Sequence, residues 1–423
     1  MLKIYTGFSA KTLCSCHFIQ NRPLDNIIKD ELSPAKFINS EIDEAAKSVR
    51  SSFLGVTREA IYRPEMGCTL VSERSISDIK KLDKPYVNEA SIFEFDINNN
   101  QNTPLLDIIN AAFEEKEDKV VNTRAVVIIK DGQLIAEKYA ESYSKDTPQM
   151  GWSMTKSVTN ALVGILVKEG KIDIHKNAVI SDWSSKDDPR HDITIDNLLR
   201  MSSGLFFEEE YDSESTVNQM LWTKADAGKV AYSQELAHPI NTKWYYSSGT
   251  TNIISHIIRN QFSDYQDYIS FPHKALFDKI GMSTAILETD ANGTYVGSSL
   301  MYASARDWAK FGLLYLQDGV WQGERILPEA WVDYSRTPSV TVEPYNFYGA
   351  HFWINAAEEH PENNEMARMW SGVPKDAYYA SGFEGQTVLI VPSKNAVIVR
   401  LGQTLDRSAF NFGEFAAQVL EML

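Results

Sequence analysis

The sequence has only three cysteines, Cys14, Cys16 and Cys68, all near its N-terminal end. A zinc site built on them would lack the usual four ligands. A Cys-x-Cys pair with one distant partner can form one disulfide and leave a thiol over, and three reduced thiols are equally compatible. Dense runs of lysine and arginine are missing, and 41 basic against 57 acidic side chains leave a net charge of −16. That balance repels phosphate backbones and argues against a nucleic-acid partner. No apolar stretch approaches the roughly 20 residues that span a bilayer; the longest, such as ALVGILV at 161–167, are short. The N-terminal MLKIYTGFSAKTLCSCHF also lacks a clear signal-peptide core. The sequence thus points either to a cytoplasmic protein or to a chain numbered after a removed leader or anchor.

What is present suits a globular protein too long for one compact core, so two packed lobes are expected from 423 residues. Residues 1–95 read as an N-terminal extension of short helices and loops, with SEIDEAAKSVRSSF as a helix candidate. NNNQNT at 98–103 is a turn-rich linker, and TPLLDIINAAFEEKE (103–117) carries a Thr cap and helical apolar spacing. Two β-branched runs around Asp131-Gly132 predict a hairpin over 124–140, and QTVLIVPSKNAVIVRLG (386–402) predicts another. Between them lie SMTKSVTNALVGILVKEG (153–170), apolar on nearly all sides, and a block of helix candidates: ITIDNLLRMSSG, ESTVNQMLWTKA and TTNIISHIIRNQF. SARDWAKFGLLYLQDG (304–319) and the closing FNFGEFAAQVLEML add two more. Strands joined by hairpins imply an antiparallel sheet, so the fold class is α+β, with early and late strands meeting in one sheet.

The Ser153–Lys156 pair stands where the buried helix begins, and a spacing of three puts both side chains on one face. Serine is a weak nucleophile that needs a base or a nearby cation, and a buried lysine can serve as either. The spacing alone says little, because Ser33–Lys36, Ser77–Lys80 and Ser142–Lys145 share it. A serine at a helix start is commonly only a cap. What separates Ser153–Lys156 is the long apolar helix that follows, in which a lysine is costly without a use.

Two further segments fit the same chemistry. KWYYSSGTTNIISHIIRNQ places Tyr246-Ser247-Ser248 in a turn before a helix, where a tyrosine beside a cation can act as a base. Tyr245 is the rival, and the two small polar residues after Tyr246 favour the latter. YYASGFEGQTVLIVP sets Gly382 and Gly385 at the start of a strand, where small residues let a substrate reach backbone N–H groups.

Taken together, these residues resemble the β-lactamase-related serine hydrolases, specifically the branch of class C β-lactamases, β-lactamase-fold esterases and 6-aminohexanoate-dimer hydrolases. The family's first motif matches Ser153-Met154-Thr155-Lys156. Its Tyr-x-Asn motif corresponds to Tyr246-Ser247-Ser248, with Ser in place of Asn, and its Lys-Thr-Gly motif corresponds to Ala380-Ser381-Gly382. LLRMSSGL (198–205), the stretch 301–331 and SGFEGQ (381–386) extend the likeness, which runs from about residue 104 to the end.

The resemblance implies a β-lactamase/DD-peptidase-like fold: an α/β domain with an antiparallel sheet (96–160 and 291–423), a mostly helical domain (161–290), and an active site between them. It implies Ser153 as the acylated nucleophile, with Lys156 and Tyr246 sharing acid and base work. The backbone N–H groups of Ser153 and Phe383 would form the oxyanion hole, and Ser248, Ser381 and Gly382 would support substrate, with Glu384 beside them either meeting a substrate amine or standing as a solvated loop carboxylate. Trp152, Tyr378 and Tyr379 are further candidates for the pocket lining. It implies no metal and no organic cofactor, and a small-molecule ester or amide as the partner. Ala380 stands where β-lactamases carry a cation for the substrate carboxylate, which turns the expectation away from β-lactams. By analogy with relatives the location is expected to be periplasmic or otherwise extracytoplasmic.

Overall fold

A computed structural model of the chain describes residues 1–84, 86, 93–97, 103–342, 347–355, 369–406 and 408–423. Most of the expected linker at 98–103 lies outside the described residues. The chain groups into two compact units: residues 1–87, 174–271 and 286–301 form the first, and 88–173, 272–285 and 302–423 the second.

In the first unit the segment before residue 88 is not a run of short helices and loops. A long helix, Leu2–Phe18, packs on a four-stranded antiparallel meander of Asn39–Asp43, Ser48–Phe53, Val56–Arg63 and Gly67–Val71. The helix expected over SEIDEAAKSVRSSF is instead the first hairpin of that sheet, with Asn39 opposite Ser52 and Asp43 opposite Ser48. Its large apolar side chains, Ile42, Val49 and Phe53, are too few for a helical stripe. The turn is closed by the Asp43 carboxylate, which accepts from the N–H groups of Ala45 and Ala46 at 3.0 and 2.8 Å. Tertiary packing of Val49 overrides the helix preference of Glu-Ala-Ala-Lys.

A disulfide, Cys14–Cys68, ties the long helix to the fourth strand, and Cys16 is a buried thiol in the same core. One turn back, the buried Lys11 ammonium pairs with the buried Glu288 carboxylate. Ser15 Oγ and the Cys68 N–H donate to the same carboxylate at 2.9 and 2.6 Å. Burial of this charge is tolerated because a cation faces it and each carboxylate oxygen has a donor. The remainder of the unit contains the short helices Ile195–Leu199 and Thr216–Trp222 and the longer Ser248–Arg259, at the positions the sequence predicts.

The second unit is built on a six-stranded antiparallel sheet. Its order is Trp353–Ile354, Tyr378–Gly382, Gln386–Val391, Ala396–Gly402, Thr123–Lys130 and Gln133–Tyr139, so the two predicted hairpins meet where Ala396–Gly402 pairs with Thr123–Lys130, as expected of early and late strands. Val126, Ile128, Leu389, Val391 and Ile398 face one side, where they pack with the helices Thr103–Ala111 and Phe412–Glu421. The first of these helices ends earlier than residue 117. On the opposite face Val388 and Val397 meet Gly312 of the helix Ala305–Leu316, so close that a Cβ at Gly312 would lie 2.8 and 2.6 Å from them. Burial on both faces explains why QTVLIV and AVIVRLG read as continuous apolar runs.

The helix Thr155–Lys168 belongs wholly to this unit, so the sequence-based domain boundary at 160 falls inside it. Residues Thr155 to Leu166 of it are all buried. Asn160 fixes its position: Oδ1 accepts from Tyr315 Oη, Trp331 Nε1 and Ser335 Oγ, and Nδ2 donates to the Ala350 carbonyl.

Candidate active site

Ser153 does not cap this helix. It lies in a one-turn 3-10 segment, Trp152–Met154, that leads into it, and the α-helix proper starts at Thr155. Trp152 holds a left-handed conformation at φ 47°, unusual for a bulky residue. The turn is pinned by the Thr155 hydroxyl, which donates to the Trp152 carbonyl at 2.6 Å. The result is a half-buried Ser153 above a fully buried Lys156. Lys156 Nζ donates to Ser153 Oγ at 3.0 Å.

Behind Lys156 is a residue the sequence reading missed. His351, buried, sets its Nδ1 2.9 Å from the Lys156 carbonyl, and its own carbonyl accepts from Ser157 Oγ at 2.7 Å. A carbonyl only accepts, so Nδ1 carries the hydrogen. Burial pushes the imidazole down to about 3, and the Lys156 charge adds to the effect. His351 is therefore a neutral donor at neutral pH. No local motif announces it, since it comes from a loop 195 residues away in sequence.

The strand Tyr378–Gly382 brings the third motif to the same turn. Gly382 approaches so closely that a Cβ there would lie 2.2 Å from the Gly151 carbonyl oxygen. The Phe383 ring meets the Trp152 ring edge to face, with centroids 5.6 Å apart. Ala380–Gly382 pairs on one side with Gln386–Val388, while on the other side, among the described residues, the short strand Trp353–Ile354 reaches Tyr378 and Tyr379 of this strand. Ala380 is buried, Ser381 and Gly382 are half-buried and Phe383 is exposed. Glu384 is half-buried and left-handed at φ 62°, the turning point of the segment. Tyr378 and Tyr379, offered as pocket candidates, are core residues; the Tyr378 hydroxyl donates to the Tyr315 carbonyl and Tyr379 stacks with Trp353.

Tyr246 and Ser248 lie in the first unit. Ser247 caps the helix Ser248–Arg259 by accepting from the Thr250 N–H, which places Tyr246 in the turn just before it. Tyr246 is half-buried and Tyr245 exposed. The serine that replaces the motif's asparagine is not idle: Ser248 donates to Glu209 through both its N–H, at 2.7 Å, and its hydroxyl. Tyr211 Oη also donates to Glu209, at 3.1 Å. Burial raises the Tyr211 phenol well above its ordinary range, and the neighbouring Glu209 and Tyr246 add to this. Glu209 and Tyr211 were missed as well. Their signal was the acidic run FFEEEY directly after LLRMSSGL, together with the Asn-to-Ser replacement that called for another polar partner. Among the described residues there is no cluster of three or more His, Cys, Asp or Glu side chains suited to a metal, and no helix is long and apolar enough to cross a membrane.

The profile of the beta-lactamase family matches residues 109–420. A 6-aminohexanoate-dimer hydrolase of Paenarthrobacter ureafaciens is 22% identical over 304 residues, covering 67% of this chain and 73% of that protein. Among solved structures, a candidate 6-aminohexanoate-dimer hydrolase from Bacillus anthracis superposes with a TM-score of 0.61 at 22% identity, covering 79% of this chain and 89% of the other. A class C beta-lactamase from Rhodobacter sphaeroides gives 0.54 at 14% identity, covering 76% and 99%. With the match spanning most of its length and the α+β fold shared, the chain belongs to the beta-lactamase family.

Proposed function

We propose that this protein cleaves an ester or amide bond of a small molecule through an acyl-enzyme on Ser153. As a member of its family the chain is a serine hydrolase. The observation that carries the assignment of the nucleophile is the 3.0 Å hydrogen bond from Lys156 Nζ to Ser153 Oγ, made by a lysine that is otherwise buried. Ser153 Oγ attacks the substrate carbonyl carbon and its proton passes to Lys156, with Tyr246 the second candidate for acid and base work. The carbonyl oxygen gains negative charge, which the N–H groups of Ser153 and Phe383 receive. Collapse breaks the bond to the alcohol or amine, which leaves with the proton, and an ester to Ser153 remains. Water repeats the sequence and releases the acid.

The buried, apolar Ala380 offers no charge to a β-lactam carboxylate, which favours simple esters or linear amides over penicillins. The Cys14–Cys68 disulfide supports an oxidising, extracytoplasmic location. The test is a panel of p-nitrophenyl esters, a nylon-type linear amide and nitrocefin, run on wild type and Ser153→Ala. Burst kinetics and a mass increase on Ser153 are expected with an ester, nitrocefin turnover is expected to be low, and full activity in Ser153→Ala would overturn the assignment.

A further inference from the structure

Arg400 is a buried guanidinium, 0% exposed, on the strand Ala396–Gly402. Among the described residues its hydrogen bonds go only to neutral oxygens. Nε and Nη2 reach Thr123 Oγ1 at 3.2 and 2.9 Å, and Nη2 also reaches the Val121 carbonyl at 2.9 Å and Thr404 Oγ1 at 2.6 Å. Nη1 donates to the Gly385 carbonyl at 3.1 Å. The surroundings are shaped to admit it: a Cβ at Gly385 would lie 2.7 Å from Nη1, and one at Gly402 would lie 2.6 Å from Cζ. The charges that act on it are those of Arg124 and, more weakly, Glu115, which is held by the Val121 and Asn122 N–H groups. Burial beside Arg124 pushes Arg400 down to about 9, so it remains a cation at neutral pH.

A cation desolvated without a contacting carboxylate is costly, and its placement coincides with the segment Phe383–Gly385. Each carbonyl of that segment is held from outside. Phe383 O accepts from Gln386 Nε2 at 3.2 Å, Glu384 O from the Thr404 N–H at 2.9 Å, and Gly385 O from Arg400. Gln386 is itself fixed by Gly402, whose carbonyl accepts from Nε2 and whose N–H donates to Oε1 at 3.0 Å. With all three carbonyls tied down and Glu384 turned left-handed, the three peptide planes after Phe383 are set, and the plane before them, which carries the Gly382 carbonyl and the Phe383 N–H, is flanked by them and by the strand pairing of Gly382 with Gln386. We propose that Arg400 and Gln386 are positioning residues that hold the Phe383 N–H in the orientation needed to receive an oxyanion. This rests on the reading of Phe383 as an oxyanion donor.

The experiment uses the full chain with Arg400→Lys, Arg400→Met and Gln386→Met, each with active sites counted by a fluorophosphonate so that misfolded protein drops out. A p-nitrophenyl ester supplies kcat and KM, and phenylboronic acid, which forms a tetrahedral adduct on a serine, supplies a transition-state affinity. Misaligning one donor is expected to lower kcat per counted site and boronate affinity together by about tenfold or more, with KM within about threefold. Arg400→Lys, which keeps the charge but not the fork, should fall between wild type and Arg400→Met. Wild-type kcat per site and wild-type boronate affinity in all folded variants, with only thermal stability lowered, would overturn the proposal. If the Arg400 variants do not fold, Gln386→Met decides it alone by the same two readings. Ser153→Ala separates the levels: turnover there removes the underlying reading, whereas an inactive Ser153→Ala beside unaffected positioning variants removes only this proposal.

Discussion

Glu209 accepts hydrogen bonds from both the backbone N–H and the hydroxyl of Ser248, the residue that stands in the asparagine position of the tyrosine motif. A carboxylate is acceptor-only when ionised and can serve several donors at once, which is what the turn at Tyr246 presents. The carboxylate that serves this position comes from a loop 39 residues earlier.

Glu209→Leu leaves the Ser248 N–H and hydroxyl and the Tyr211 hydroxyl without this acceptor. The expected cost is about 1–3 kcal/mol for each donor that water cannot reach. Denaturant unfolding should show this loss. Because the turn holding Tyr246 loosens, kcat should fall more than KM rises, and Glu209→Gln, which keeps one acceptor, should be milder.

Gly382→Ala tests whether close approach, rather than backbone freedom, requires glycine there. Gly382 has an ordinary φ of −125°, yet its Cβ would lie 2.2 Å from the Gly151 carbonyl. The strand must retreat from the nucleophile turn, and a displacement of about 1 Å is expected to cost about a hundredfold in kcat. Fluorophosphonate labelling rates on wild type and variant would show it.

His351 makes the fold sensitive to acid. Its folded value of about 3 lies below the ordinary 6.5, so between these limits the unfolded chain binds the extra proton. The stability it contributes is fully present above about pH 6.5 and is lost progressively as the pH falls toward 3. His351→Asn keeps a donor near the Lys156 carbonyl and suits the left-handed φ of 58° better than most residues. Its unfolding free energy should fall less steeply than wild type over that pH window, measured by urea titration at stepped pH.

Reducing the Cys14–Cys68 bond opens a loop of 54 residues, and chain entropy sets the expected loss at up to about 4 kcal/mol. Lys11→Met leaves Glu288 buried without its cation, and breaking such a pair costs about 3–5 kcal/mol. Both changes act far along the chain from Ser153, so thermal unfolding should shift while kcat at 25 °C stays near wild type.

The α+β class, both sheet hairpins and the buried helix were legible in the sequence, which also offered Ser153, Lys156 and Tyr246 as candidates. Each leaves a local trace: β-branched runs around Asp131-Gly132, the apolar run from Ala161 to Val167, and small polar residues after Tyr246. The hairpin at Asn39–Phe53 was not legible, because Glu-Ala-Ala-Lys favours a helix and only burial of Val49 against the rest of the unit decides otherwise. Nor was the 3-10 turn at Ser153 or the left-handed Trp152, which the strand ending at Gly382 approaches from far along the chain. His351, Arg400 and Gln386 share one reason for being invisible: their partners are set by pairings across loops and strands. Sequence by itself determined which residue types can do the chemistry, through local periodicity and motif spacing. Tertiary structure alone decided which neutral donors and buried charges hold them in place, because desolvation and hydrogen-bond geometry depend on neighbours that are distant in the chain.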